Sequence, residues 1–386
     1  MYALQLWREY KLSLAEIYAF FPKIQIEYVD KNICILDTHN KNLLLSSVKN
    51  MWWIIKLIEL TEGYSGKYYE NIFDSLWDFD GKYRFWLSIL WEGKNLKELL
   101  MKTKKCLKEK KISARFVNKN FWSLTSAQII WENLIEREAD FNLIITQDWT
   151  QYFWKTIWIQ DIGAYSKRDY GKTRDMEVGM LPPKLAQIMI NISGWKRIYD
   201  PFCGLGTVLI ESILMGNTEV YGSDISAENI EKTKLNIEFA KNNFTNNLTK
   251  SELKVLDARG ISSSPYLKYS DVIVTEGYLG QIFQKYSITE KKIVGEKEQL
   301  LDIYSHFFEW LKRAKYQGNI VISFPFWEIR SKYFYFSEIY AIIKKYCDVQ
   351  TLLPNNIEIK ATKLWSLLYK RENQTVGREI FKLKMK

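Results

Sequence analysis

Histidine is nearly missing from this sequence: His39 and His306 are the only two in 386 residues, and neither lies in a recognisable motif. That scarcity argues against a hydrolase centred on a histidine and against a metal site of several imidazoles. Cysteine is scarce as well. Cys34, Cys106, Cys203 and Cys347 stand far apart with no C-x-x-C pair, which suggests reduced thiols and neither a zinc cluster nor a disulfide framework. Long hydrophobic runs are also lacking. No stretch approaches the roughly 20 uncharged apolar residues that span a bilayer. The start, Met1 to Ser13, mixes Arg8, Glu9 and Lys11 into what would have to be a signal core. A cytoplasmic protein with no membrane partner and no metal is expected, and a monomer is the default.

What is present is apolar mass and positive charge. At 386 residues and 47% apolar content the chain is long enough for two or three domains, each with its own core. A net charge of +10 favours a polyanionic partner, because Lys and Arg that neutralise phosphates release condensed counterions. Aromatic residues make up 15% of the chain and include 15 Trp, which can stack on bases but more often fill cores.

Residues 1 to about 65 open with a helical pattern (Leu12, Leu14, Ile17, Tyr18, Phe21) and continue in short alternating runs, as a small α+β unit would. From Arg84 to about residue 165, helices interleave with strands, implying one more α+β domain. Its first helix, Asn95 to Lys110, carries an apolar stripe of Leu96, Leu99, Leu100, Thr103 and Leu107 under a crowd of lysines. Glu109 is almost the only counter-charge, so the pattern predicts few i,i+4 acid partners and a phosphate-facing surface. Lys102, Lys105, Lys108 and Lys111, with Arg115 and Lys119 beyond them, are the candidate RNA contacts. A second helix is expected over Thr125 to Arg137. Residues 164–183 read as a polar linker ending in Pro182-Pro183, where a helix can start. After it, strands and helices alternate strictly, which predicts a doubly wound parallel sheet.

Tyr199 to Thr207, Y-D-P-F-C-G-L-G-T, places Gly204 and Gly206 between the first of these strands and a helix, so that backbone N–H groups can approach a nucleotide-like ligand. The third glycine of the dinucleotide fingerprint is replaced by Leu209, and Asp200 sets a negative charge where a pyrophosphate would lie. S-adenosylmethionine fits better, since it has no phosphate and its ammonium and sulfonium suit a carboxylate. Asp224, 18 positions after Gly206, closes the second strand at the distance where an acid accepts bonds from both ribose hydroxyls. Asp257 closes the third strand and can reach the adenine amine. The candidate cofactor-binding residues are therefore Asp200, Pro201, Cys203, Gly204, Gly206, Thr207, Asp224, Ile225, Asp257 and Ala258.

With these residues the chain resembles the THUMP-containing tRNA guanine-N2 methyltransferases, in particular those acting on guanosine 10. The shared pieces include R-F-V-N-K-N (Arg115 to Asn120), L-T-S-A-Q-I-I (Leu124 to Ile130), Q-D-I-G-A-Y-S-K-R-D-Y-G-K (Gln160 to Lys172) and G-M-L-P-P-K-L-A-Q-I-M-I-N (Gly179 to Asn191). D-P-F-C-G-L-G-T (Asp200 to Thr207) and Q-T-V-G-R-E-I (Gln374 to Ile380) complete the set. The resemblance implies an α/β architecture: a ferredoxin-like unit (1–65), a THUMP RNA-binding domain (66–165) and a Rossmann-like class I methyltransferase domain (166–386). It implies tRNA as partner, leaves the need for a small activating subunit open, and places Asp175, Met180, Leu181 and Pro182 along the methionine end of the cofactor.

The departure falls at the end of another strand. Where the family has Asp-Pro-Pro-Tyr, this chain has Thr275-Glu276-Gly277-Tyr278. An exocyclic guanine amine is a poor nucleophile; two acceptors must grip its N–H bonds and a ring must stack on the extruded base. Tyr278 keeps the stacking role, Thr275 offers a weak hydroxyl acceptor, Glu276 offers a carboxylate that can also take the proton, and Gly277 gives the backbone freedom a proline would deny. Three readings follow: methylation of guanine N2 in tRNA at position 10, methylation of another RNA base or site, and a tRNA-binding protein that keeps the fold without transferring methyl groups.

Overall fold

The computed structural model describes residues 1–61, 81–90, 95–118, 123–161, 163, 181–194, 197–245, 249–281, 283, 287–372 and 374–386. Two compact units emerge: Met1–Leu14 with Lys23–Lys167, and Ala15–Pro22 with Arg168–Lys386.

The first unit is built on β1 (Tyr2–Leu6), the first turn of α1 (Tyr10–Phe20, which from Ala15 onward counts with the second unit), β2 (Gln25–Val29), β3 (Ile33–Asp37), α2 (Lys41–Val48) and β4 (Ile54–Glu59). β1 pairs antiparallel with β3 on one side and β4 on the other, and β2 pairs with β3. The resulting order β2-β3-β1-β4 is that of a split βαβ, ferredoxin-like arrangement. The helical pattern expected at the start is preceded by a strand: Ala3 and Leu4 are fully buried, and a five-residue run without alternation carries no strand signature of its own.

The sheet continues through β5 (Tyr83–Leu90), α3 (Leu96–Glu109), β6 (Ala114–Phe116), α4 (Ser126–Trp131), β7 (Asp140–Ile145) and β8 (Gln151–Ile159), giving eight strands ordered β2-β3-β1-β4-β8-β7-β5-β6. One sheet thus runs through both regions that the sequence divides near residue 65. At the seam Lys56 of β4 donates to Asp140 Oδ2 of β7 (2.6 Å), and the Thr156 hydroxyl of β8 donates to the same oxygen (2.5 Å). α4 starts in a capping box, with Thr125 accepting from Gln128 N–H and Gln128 from Thr125 N–H. It stops at Trp131, short of the expected Arg137, as Asn133 takes φ 51°.

The second unit begins with α5 (Pro183–Ser193), which has proline in its first turn and ends at Gly194 with φ 97°. Then come β9 (Ile198–Asp200), α6 (Thr207–Leu214), β10 (Glu219–Asp224), α7 (Ala227–Phe244), β11 (Lys250–Val255), a 3-10 turn (Ala258–Ser263), α8 (Tyr266–Tyr269) and β12 (Val272–Glu276). They are followed by α9 (Glu290–Arg313), β13 (Asn319–Ile329), β14 (Lys332–Tyr335), α10 (Ile339–Tyr346), β15 (Cys347–Gln350), β16 (Leu367–Tyr369) and β17 (Val376–Met385). The main sheet has the order β11-β10-β9-β12-β13-β17-β15. Its first five strands are parallel, whereas β17 runs antiparallel between β13 and β15. This is a Rossmann-like, class I methyltransferase arrangement. The expected doubly wound sheet is present, but mixed rather than wholly parallel; β17 is buried as continuously as a parallel strand, so its direction leaves no mark on its composition.

Candidate active site

The loop from Pro201 to Gly206 joins β9 to α6 and is pinned by three side chains. The Gly204 N–H donates to Asp224 Oδ2 at the end of β10 (3.0 Å). From α7, the Thr233 hydroxyl donates to the Gly204 carbonyl (2.6 Å) and Asn236 Nδ2 to the Leu205 carbonyl (3.1 Å). Gly206 caps α6 with φ 82°, and a Cβ there would stand 2.6 Å from Thr233 Cγ2, so both conformation and space demand glycine. Asp224 also accepts from Ser226 N–H (2.9 Å) and Asn229 Nδ2 (3.1 Å). Beside it Ile225 is 64% exposed. Pro201, Cys203 and Thr207 are buried, and burial next to Asp200 and Asp224 pushes the Cys203 thiol well above its ordinary range, so it packs as an inert group.

Asp200 is buried, and its Oδ1 accepts from Phe202 N–H (3.1 Å) and from the Thr275 hydroxyl (2.6 Å). Burial pushes its carboxyl up to about 7 despite those two donors. That bond joins the glycine loop to the end of β12, 75 residues on. It also turns the fully buried Thr275 hydroxyl toward Asp200 as a donor, away from the role of acceptor for a substrate amine that the sequence suggested.

The rest of the Thr275 to Tyr278 turn is held by residues the sequence reading did not single out. The Glu276 carboxylate pairs with Arg378 Nε of β17, a guanidinium that is itself buried and also reaches Gln374 Oε1 (3.3 Å). Burial raises the Glu276 carboxyl, with Arg378 and Arg371 pulling it back. Gly277 lies against the Tyr304 hydroxyl of α9, which would stand 2.1 Å from a Cβ. That hydroxyl donates to the Tyr278 carbonyl (2.8 Å), while the Tyr278 side chain is 44% exposed. Glu296 accepts from Gln281 N–H (3.0 Å) and closes the segment. Arg378 lies in the quoted Q-T-V-G-R-E-I piece, where a charged pair inside a buried apolar run was the available signal. Tyr304 resembled any other core ring.

Asp257 caps the 3-10 turn through Arg259 N–H (2.8 Å) and pairs with Arg259 Nη2 (2.7 Å); the Arg259 guanidinium holds its carboxyl below the usual range. Ala258 is buried beneath it. Leu181 and Pro182 are buried at the start of α5. Met180, Asp175, Lys119 and residues 164–180 of the linker lie outside the described residues.

In the first unit Lys102, Lys105 and Lys108 are exposed along α3, with Lys111 and Arg115 exposed beyond it, while Leu100, Thr103 and Leu107 face the core. The expected shortage of i,i+4 acid partners needs correction: Lys102 pairs with Glu98 (2.5 Å) and Lys105 approaches Glu109 (4.0 Å). Glu98, in the first turn of the helix, supplies the partner for Lys102. Both pairs are exposed and hold little energy, so they do not prevent exchange for phosphate contacts.

Strand order, glycine loop and the turn after β12 define a methyltransferase-type domain. Residues 171–277 match the family model described as "RMKL-like, methyltransferase domain", which bears out the methyltransferase part of the resemblance over that stretch. A tRNA (guanine(10)-N2)-dimethyltransferase of Methanothermobacter thermautotrophicus is 49% identical over 63 residues, 16% of this chain and 18% of that protein. Its counterpart from Pyrococcus abyssi is 45% identical over 60 residues, 15% and 18% of the two chains. The matched stretch thus spans under a fifth of either relative. TrmN from Thermus thermophilus superposes over 100% of this chain and 99% of its own with a TM-score of 0.49 and 13% identity.

Proposed function

We propose that this protein transfers a methyl group from S-adenosylmethionine to the exocyclic N2 of a guanosine in tRNA, at position 10. The observation that carries the reading is the 2.6 Å bond from Thr275 to Asp200, which holds the glycine loop against the turn bearing Glu276 and Tyr278. The residues present suit an adenosyl cofactor. A side chain at Gly204 would meet nothing within 4 Å, no cation stands between Pro201 and Gly206, and Ile225 offers an exposed apolar surface for a base. Asp224 uses three of a carboxylate's roughly four acceptor positions within the protein, leaving one for a ribose hydroxyl. When bound, the cofactor supplies an electrophilic methyl on a sulfonium.

The protein's task is then to position the amine and take up its proton. Arg378 holds one oxygen of Glu276, so the carboxylate presents its other oxygen in a fixed direction to an amine N–H. The Tyr304 hydroxyl occupies the Tyr278 carbonyl, leaving the Gly277 carbonyl as second acceptor and the Tyr278 ring for stacking. The first unit serves as the tRNA grip, a ferredoxin-like part (1–65) followed by a THUMP part (66–165), with Lys102, Lys105, Lys108, Lys111, Arg115 and Lys119 toward phosphates. We place the protein in the cytoplasm as a monomer.

Incubating the full chain with methyl-labelled cofactor and tRNA transcripts tests this. Label should enter wild-type transcripts and be lost when guanosine 10 is replaced; retained label moves the activity to another base, and no label at all leaves a tRNA-binding protein. Adding the small partner subunit only after the chain alone has been assayed shows whether it is required. Glu276→Gln should lower transfer at least roughly tenfold, the scale of a lost positioned base.

A further inference from the structure

We propose that the β13–β14 hairpin is a stacking lip for unpaired RNA nucleotides, placed on the same sheet edge as the catalytic turn. The identity of the partner rests on the RNA substrate proposed above; the surface itself rests on the following geometry.

β12 ends at Glu276, which pairs in register with Ser323, but β13 runs on for six further residues to Ile329, about 20 Å at the usual strand rise. The hairpin therefore projects from the edge where β9 and β12 deliver the glycine loop and the turn. Its base is tied to the chain just after that turn. Glu328 N–H donates to the Thr375 carbonyl (2.8 Å), and the Thr375 hydroxyl donates to the carbonyl of Phe283, five residues past Tyr278 (3.0 Å).

The two turn residues, Arg330 (φ 49°) and Ser331 (φ 64°), are both left-handed, as a two-residue hairpin turn requires, although neither is of a type that favours this conformation. Strain is accepted there for a cationic tip: Arg330 and Lys332 are exposed, and no acid lies between Ile329 and Tyr335. The hairpin's one acid, Glu328, is neutralised by Lys370 (2.6 Å).

Cross-strand pairing of Phe326 with Tyr335 and of Glu328 with Tyr333 puts three rings on one face. Their centroids lie 5.1 Å (Phe326 to Tyr333) and 5.7 Å (Phe326 to Tyr335) apart. Phe326 is buried beneath, whereas Tyr333 is 43% exposed and packs no core. A supported but open ring flanked by unopposed cations is what sequence-tolerant single-strand binding uses, with aromatic faces for bases and positive charge for the backbone.

The test uses the full chain, a fluorescein-labelled oligouridylate, and the variants Tyr333→Ala, Tyr333→Trp and Arg330→Ser/Lys332→Ser. Tyr333→Ala should weaken oligonucleotide binding about five- to a hundredfold at an unchanged melting temperature, with Tyr333→Trp restoring it. The double variant should reduce the salt slope by about 1.4, at roughly 0.7 per single-strand contact. Crosslinks from a 4-thiouridine oligonucleotide should map to Lys332–Tyr335. Wild-type affinity in Tyr333→Ala, or crosslinks confined to the first unit, would overturn the inference while leaving methyl transfer intact. A Tyr333-dependent affinity in a protein that transfers no methyl to any tRNA would support the lip and reject the proposed function instead.

Discussion

The loop after β9 and the turn after β12 end adjacent strands and serve one site, yet they are held by different means. The loop is held by residues close along the chain: Asp224, Thr233 and Asn236 all lie within 31 positions of the atoms they bind. The turn also draws on partners far along the chain: beside Tyr304 at 26 positions stand Asp200 at 75 and Arg378 at 102. In consequence the loop is a local motif whose residues announce their task. The turn is a tertiary assembly, in which Thr-Glu-Gly-Tyr gains definite roles only through the side chains that arrive from α9 and β17.

Removing Arg378 should break this contrast most sharply. Arg378→Met leaves the largely buried Glu276 carboxylate without its partner and should cost about 2–4 kcal/mol of stability in denaturant unfolding. Adding Glu276→Gln should recover most of it, because the loss is that of an uncompensated charge. A single variant within about 1 kcal/mol of wild type would show that the distant pair does not hold the turn. Next in size is the loop itself. Gly206→Ala forces a side chain into a φ of 82° and against Thr233, and should cost about 1–3 kcal/mol. Thr233→Ser in the same chain removes the contacting methyl and keeps the hydroxyl bond, so it should relieve the contact but not the backbone strain.

A smaller effect is expected at α9. Tyr304→Phe deletes the bond to the Tyr278 carbonyl, worth about 1 kcal/mol, and should depress methyl transfer more than it lowers the melting temperature. The least invasive test is pH. Asp200 is raised from 3.8 to about 7 in the folded protein, so between those values the folded state retains a proton that the unfolded state has released. Stability from this group is complete below 3.8, falls as pH climbs toward 7, and changes no further above it. Melting temperatures of Asp200→Asn across the same range should lack that decline; parallel curves for the two proteins would place Asp200 outside the linkage.

Sequence alone determined the loop and its strand, the helix starts at Thr125 and Pro183, and the alternation of β9 to β12 with their helices, because caps, glycines and apolar periodicity act over a few residues. It also located the departure at Thr275 to Tyr278. Only the tertiary structure decided that Thr275 donates inward to Asp200, that Arg378 claims Glu276, that β17 runs antiparallel, and that one sheet joins the regions on either side of residue 65. These outcomes depend on which distant groups satisfy a buried carboxylate, a carbonyl or a strand edge. Such pairings are settled by the free energy of the assembled core, and leave no periodic trace along the chain.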